Sequence, residues 1–246
     1  MKIGSFWTAA MVCLELVVAT SVVAVEMPLG GVQLWENGPY WAECNVGATK
    51  PEEYGYYFWW GDTVGYTRSG GTRTRGDHDS GVTWVSSTGK RMDGSPFCAS
   101  SCPTYDKGNF TLQWQGYIDS TGNLVAKYDA ATAHLGASWR MPTSDEMQAL
   151  ASNCTATWTT RNGVSGRLVT GKGAYASKSI FLPAAGFSND ANLYRPGSLG
   201  YYWSSTPYSS DSCNAWSLDL YSGDFARDIS YRYSGQSVRP VRGCTK

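Results

Sequence analysis

Gly200–Val241 reads GYYWSSTPYSSDSCNAWSLDLYSGDFARDISYRYSGQSVRPV, and its alternation decides the fold. In Asn214–Tyr221, Trp216, Leu218 and Leu220 fall on one face, and Ser217, Asp219 and Tyr221 on the other. That is the period-two pattern of a strand with one buried side. Ser222-Gly223-Asp224 is a turn signal, and Phe225–Tyr233 alternates again through Phe225, Arg227, Ile229 and Tyr231. After Ser234-Gly235, the run Ser237–Val241 closes the sheet with Pro240, which an edge strand tolerates. The outer face and turns carry Tyr201, Tyr208, Asp211, Asp219, Tyr221, Asp224, Asp228, Tyr231, Arg232 and Tyr233. Tyr, Ser, Gly and Asp on loops and exposed strand faces is the composition of an antibody-like paratope, because Tyr offers amphipathic area with little entropy to lose. These residues are the candidate ligand face. The plainer alternative is a Tyr-rich sheet that another part of the chain covers.

Working outward, 246 residues fit one large β-rich domain. Basic and acidic residues balance at 20 each, with no basic run, which argues against nucleic acid or an anionic membrane as partner. Charged residues make up only 16% and aromatics 14%, with 28 Gly, the profile of an extracellular, loop-rich, aromatic-cored β protein. The N-terminus reads as an export signal over residues 1–24. Lys2 is followed by the apolar runs Phe6–Leu14 and Leu16–Val25, and Val22-Val23-Ala24 supplies a cleavage site. Glu15 interrupts the apolar stretch, and the run after it is too short to span a bilayer. The expected mature chain, 25–246, is secreted, periplasmic or at the cell surface, with no membrane insertion once the signal is removed.

Removing that segment leaves Cys44, Cys98, Cys102, Cys154, Cys213 and Cys244. An even count in an exported chain reads as disulfides, with 15 pairings open. Cys98 and Cys102 are spaced to staple a local loop. A metal site would need more histidine support than His78 and His134 give, so no metal or cofactor is expected.

In chain order, VQLWE–Asn37-Gly38–PYWAEC is a hairpin signal. Thr49-Lys50-Pro51-Glu52 predicts a short helix near Pro51–Tyr54, and Tyr56–Trp60 an aromatic strand. Residues 64–123 read as a loop-rich insertion with short hairpins, too poor in apolar residues for a core of its own. Within it, Asp77-His78-Asp79 reads as a solvated loop. Asp129–Ala133 predicts a helix stopped by Gly136, with His134 near its end, where a protonated imidazole is favoured. Thr143-Ser144-Asp145-Glu146 is a capping box that starts a helix over Ser144–Ser152. Asn162-Gly163 marks another hairpin and Ser179–Pro183 a buried strand.

WAECNVGATKPEEYGYYFWWGD (Trp41–Asp62), DAATAHLGASWRMPTSDEMQAL (Asp129–Leu150), NCTATWTTRNGV (Asn153–Val164), SIFLPAAGF (Ser179–Phe187), GYYWSST (Gly200–Thr206) and NAWSLDL…SGQSVRPV (Asn214–Val241) resemble the Fibrobacter major paralogous domain family. The resemblance implies an exported bacterial protein with an α+β, C-type-lectin-like fold: antiparallel sheets, two short helices and the long insertion. Arg140-Met141-Pro142-Thr143…Glu146 is also similar to formylglycine-generating enzymes. Their catalytic cysteines form a close C-terminal pair, whereas Cys213 and Cys244 stand far apart in sequence. Gly200–Val241 further resembles the variable region of diversity-generating retroelement proteins. Cys44 and Cys154 each sit inside a family-like motif and are therefore expected to pair, with Cys98–Cys102 and Cys213–Cys244 as the remaining bridges.

No catalytic constellation emerges. Neither histidine has a nucleophile elbow nearby, Asp145 and Glu146 belong to a helix cap, and no phosphate-cradling loop opens a helix. The sequence thus reads as a binding module for a protein or glycan. A calcium-independent lectin using Trp59, Trp60 or Trp203 is the alternative, and a formylglycine-generating oxidase a remote one.

Overall fold

The computed structural model describes residues 30–73 and 78–243; the expected signal segment 1–24, Asp77 and Cys244 lie outside them. The chain is α+β, with antiparallel sheets and a few short helices. Strands β1 (Gly31–Gln33) and β2 (Tyr40–Ala42) form the first hairpin, with Asn37 at φ 61° in its turn. The last strand, β13 (Val241–Arg242), pairs with β2, giving the order β1-β2-β13, so the first hairpin and the final strand of the domain meet. A second sheet holds β5 (Thr155–Arg161), β6 (Val164–Thr170) and β7 (Ser179–Pro183). Asn162 and Gly163 turn its first hairpin at φ 49° and 82°, the left-handed pair that Asn-Gly accepts.

The insertion does not fold apart. Its long hairpin, β3 (Tyr66–Arg73) and β4 (His78–Ser86), is completed by β9 (Asn192–Tyr194) and β8 (Phe187–Asn189) in the order β3-β4-β9-β8. Trp84, Tyr66 and Phe97 from the insertion bury against Tyr57, Ala185 and Leu193 from outside it, which supplies the core it lacks alone. Of the Asp77-His78-Asp79 stretch, the described His78 and Asp79 are therefore not in a solvated loop. His78 starts β4 beside Tyr194, and Asp79 is buried in an ion pair with Arg68.

Among the described residues, three α-helices are short. α1 (Asn109–Trp114) carries no strong sequence signal; α2 (Ala130–Leu135) is capped by Asp129 and ended by Gly136 at φ 85°. α3 (Ser144–Asn153) begins with the expected capping box, and Arg140 clamps Glu146 through bonds of 2.7 and 2.6 Å. None is long and apolar enough to cross a membrane. The helix expected at Pro51–Tyr54 is absent. Glu53 does cap Thr49 and Lys50, but Gly55 at φ 71° bends the chain back so that Tyr56 N–H donates to Val46, and only a turn remains. His134 also differs from expectation: it lies between Tyr56 and Phe58, and burial lowers its pKa, favouring the neutral ring.

The expected bridges among described cysteines are not made; Cys44, Cys98, Cys102, Cys154 and Cys213 are free thiols. Cys98 and Cys102 flank a 3-10 turn that sends their sulfurs apart. Cys98 Sγ lies 3.1 Å from Ser101 Oγ near the surface, whereas Cys102 Sγ is buried, 3.2 Å from Thr104 Oγ1. Cys154 packs with Leu150 and Val169, where burial pushes its thiol up to about 11, and Cys44 is buried outside that cluster. Cys213 is the described half of the third expected bridge.

The decisive stretch forms β10 (Leu199–Pro207), β11 (Asn214–Tyr221) and β12 (Phe225–Tyr231) in that order. β10 is buried on both sides: Tyr202 enters the core with Leu218, Leu220, Met147 and Leu182, while Trp203 enters another with Trp60, Phe58 and Leu112. Ser237–Val241 is not a continuous strand. Ser237 bridges Tyr202, and the chain then crosses to β2.

Candidate functional site

The register of the β10-β11-β12 sheet sets one face. Trp203, Ser217 and Asp228 are cross-strand partners, as are Tyr201, Asp219 and Ala226; Leu199 pairs with Tyr221. The Trp203 end of this face is closed by the core, and the Tyr201–Asp219 end is open. The opposite face packs on α3 through Leu218 and Leu220. Trp216, expected in that core, stays half-buried under Arg227, whose guanidinium sits 4.3 Å over its ring and also contacts Asp145.

Two concavities open along the face and share Tyr201, Asp219 and Asp228. One, about 360 Å³, is also lined by Phe187, Asn214, Ile229, Ser230, Tyr231, Ser234 and Gln236. The other, about 520 Å³, runs toward Arg195, Tyr221 and Asp224. Asp219 accepts a 2.8 Å bond from Ser217 Oγ, but burial, with the charges of Asp228 and Asp224, pushes its carboxyl up to about 8. Burial, with the charges of Asp219 and Asp228, pushes the Tyr201 phenol up to about 12. No salt bridge among the described residues reaches Asp219, Asp224 or Asp228.

The Asp219 shift carries a stability prediction. A folded pKa raised from the usual value near 3.9 means that the folded state holds the proton more tightly, so stability is greatest below pH ~4 and declines toward pH 8. Asp219→Asn removes that decline. It should match the wild type near pH 4 and exceed it by about 2 kcal/mol at pH 9, a figure discounted for partial solvent exposure. Urea titrations at the two pH values measure this; equal gains at both would sink the assignment.

Aromatic side chains wall the face. Phe187 meets Tyr201 edge-on at 5.0 Å, and Tyr231 stacks on Tyr233 at 5.4 Å, which in turn meets Tyr105 of the insertion at 5.1 Å. Tyr221 and Tyr231 are 42% and 50% exposed; Tyr201, Tyr208 and Tyr233 are half-buried, with Tyr208 edge-on to Trp216. Asp211, Asp224 and Asp228 are exposed, though Asp211 serves locally, accepting from Cys213 N–H and Asn214 Nδ2. The insertion therefore touches the rim without covering the face.

Arg232 does not belong to the ligand face. Fully buried, it lies 5.0 Å over Trp60 and donates to the carbonyls of Asn214, Thr104 and Lys107. β12 ends at Tyr231, so the alternation no longer holds at Arg232. Arg167 plays a comparable part from β6: it donates to the carbonyls of Tyr221, Ser222 and Asp224 and so fixes the β11–β12 turn that presents Tyr221. Trp60 and Trp203 are also buried, their indole N–H groups donating to Ser204 and Phe58 carbonyls, and Trp59 is half-buried against the insertion core; neither buried ring can stack on a sugar.

Sequence reading passed over Phe187, Gln236, Asn214 and Ser217, whose placement depends on register and on strands distant in sequence. It also passed over Phe110 and Trp114, which stand 83% and 79% exposed on α1 while Leu112 turns inward. Their four-residue spacing around an inward Leu was the available signal. No cluster of three or more potential metal ligands occurs among the described residues.

In comparison with known proteins, the family model described as the Lcl C-terminal domain matches residues 73–242, from the insertion hairpin to the final strand. No curated protein and no solved structure matches the chain.

Proposed function

The chain belongs to the Lcl C-terminal domain family, and from that premise we propose that it is an exported, non-enzymatic binding module whose ligand surface is the open face of the β10-β11-β12 sheet. The observation that carries this reading is the exposure of Tyr221 and Tyr231 around Asp219 and Asp228, carboxylates that no basic side chain among the described residues pairs. Nothing in the folding of the domain requires that arrangement, since exposed aromatics contribute most to stability when something covers them. Motif resemblance to Fibrobacter paralogous domains supports reading the fold as C-type-lectin-like and the chain as secreted, periplasmic or surface-displayed. Resemblance of the same strands to diversified display proteins supports a protein or glycan ligand. The oxidase alternative ranks last, because Cys213 and Cys244 are far apart in sequence and outside the related enzymes' motif.

The test compares wild type with the Tyr221→Ala/Tyr231→Ala double variant on a glycan array and on intact cell surfaces. Both side chains are largely solvated, so the fold should survive. Whatever ligand the wild type binds should be held at least tenfold more weakly by the variant, from about 1 kcal/mol or more per contact-centre Tyr. Undiminished binding by a folded variant would remove the face from the interaction.

A further inference from the structure

We propose that the 360 Å³ concavity between Phe187, Tyr201 and Tyr231 is a pocket for a primary alkylammonium group, the side chain of a lysine on a protein partner or a free polyamine. The proposal rests on the reading of this face as the ligand surface and names the chemistry that the face selects.

The lining contains two carboxylates, Asp219 and Asp228, and no Lys, Arg or His. The lining also includes Gln236, 1% exposed, whose Oε1 has no hydrogen-bond partner among the described residues. A buried carbonyl oxygen left unpaired is costly, so its persistence beside an open cavity points to a donor supplied from outside. The backbone there is pinned, Gln236 exchanging both of its main-chain bonds with Phe58, so the residue stays beside the cavity. Three acceptors, the Asp228 carboxylate, the Gln236 carbonyl and Asp219 once it has given up its proton, match the three N–H donors of an ammonium group. The walls suit the rest of such a ligand. Phe187, Tyr201 and Tyr231 offer ring faces and edges to an alkyl stem and its positive end, and Ile229 adds apolar surface. An anion would meet two carboxylates with no compensating base.

The groups facing Asp219 are Asp224 in the β11–β12 turn, Asp228 on β12, Tyr221 on β11, Tyr201 on β10 and, beyond Tyr201, Arg195. With its carboxyl pushed up to about 8, Asp219 is largely protonated in the empty pocket at neutral pH. A bound cation favours the carboxylate, so binding releases a proton. An alkylammonium group itself stays charged to about pH 10. Affinity should therefore rise about tenfold between pH 6.5 and 8.5.

The experiment titrates the intact domain with Nα-acetyl-lysine methylamide, its Nε-acetylated counterpart and cadaverine, followed by NMR shifts of the Tyr201, Asp219 and Gln236 amides. The free-amine lysine compound should bind, the Nε-acetyl compound should bind at least tenfold more weakly, and the affinity should climb with pH as stated. Asp219→Asn, which retains the fold, should lose at least tenfold. Stronger binding of cadaverine than of the lysine compound identifies a free polyamine as the source, and the reverse order a protein side chain. Equal binding of the acetylated and free amines, or no shift at 10 mM (about the weakest affinity useful to a multivalent surface), overturns the pocket. The outcomes separate from those of the face itself: a ligand lost in the Tyr221/Tyr231 variant alongside an empty lysine titration leaves the face standing and removes only its ammonium specificity.

Discussion

Arg239→Met is expected to destabilise the domain by about 3–5 kcal/mol, enough to leave much of it unfolded at physiological temperature. Arg239 is 1% exposed, and no carboxylate is among its hydrogen-bond partners. Its Nε donates to Asn45 Oδ1 at 2.8 Å, and its guanidinium nitrogens donate to the carbonyls of Ala42, Glu43 and Phe181 at 3.0, 2.7 and 2.9 Å. These acceptors belong to the end of β2, to the chain just after it and to β7, so one side chain holds together segments from the start, middle and end of the domain. Met fills the space of the stem but leaves those acceptors unsatisfied, each at about 1 kcal/mol or more. A hydrophobic replacement for a buried ion pair is often neutral because both charges leave together; here the acceptors remain. Urea midpoints followed by Trp fluorescence measure the loss. A change below 1 kcal/mol would mean that water or a shifted backbone satisfies the carbonyls as well as Arg239 does.

The same residue shows what sequence could and could not reveal. Alternation in Asn214–Tyr221 gave β11 with its bounds, and the Thr143–Glu146 pair gave the start of α3, because each signal lies within a few residues of its effect. Asn162-Gly163 gave a hairpin for the same reason. The arginines that anchor loop carbonyls were not legible. Arg232, Arg167 and Arg239 find partners at Thr104, Tyr221 and Ala42, and nothing local distinguishes them from surface charges. The apolar poverty of 64–123 suggested loops, yet β4 acquires β9 as a neighbour and Trp84 acquires Tyr57, so a long hairpin is stable there. Of the candidate site, Asp219 and Tyr221 on β11 and Asp228 on β12 follow from parity; Tyr231, paired with Asn214, has the opposite parity and joins the lining only through the tertiary fold. The concavity needed Phe187 and Gln236, which only the tertiary fold brings to Tyr201 and Asp219.

Arg232→Ala should separate an anchoring role from a ligand contact. The wild-type guanidinium bonds the carbonyls of Thr104 and Lys107 in the insertion at 2.9 and 2.8 Å while covering Trp60, and Thr104 Oγ1 reaches the Trp60 carbonyl at 2.8 Å. Truncation leaves a cavity over the indole and frees buried carbonyls, for an expected loss of about 3 kcal/mol. The effect should be local first. Amides of residues 104–108 should exchange faster, and trypsin should cut after Lys107, because this loop is then held chiefly by Tyr105 against Tyr233 and by Ser212 Oγ donating to Asp106. Tyr233 in turn supports Tyr231, so one wall of the pocket loosens with the loop. Were Arg232 instead a ligand contact, the variant would lose binding while keeping its stability and its exchange pattern. The buried geometry requires the opposite order: protection of the loop falls at denaturant concentrations where the sheet is still intact, and ligand affinity declines only as far as Tyr231 loses its support.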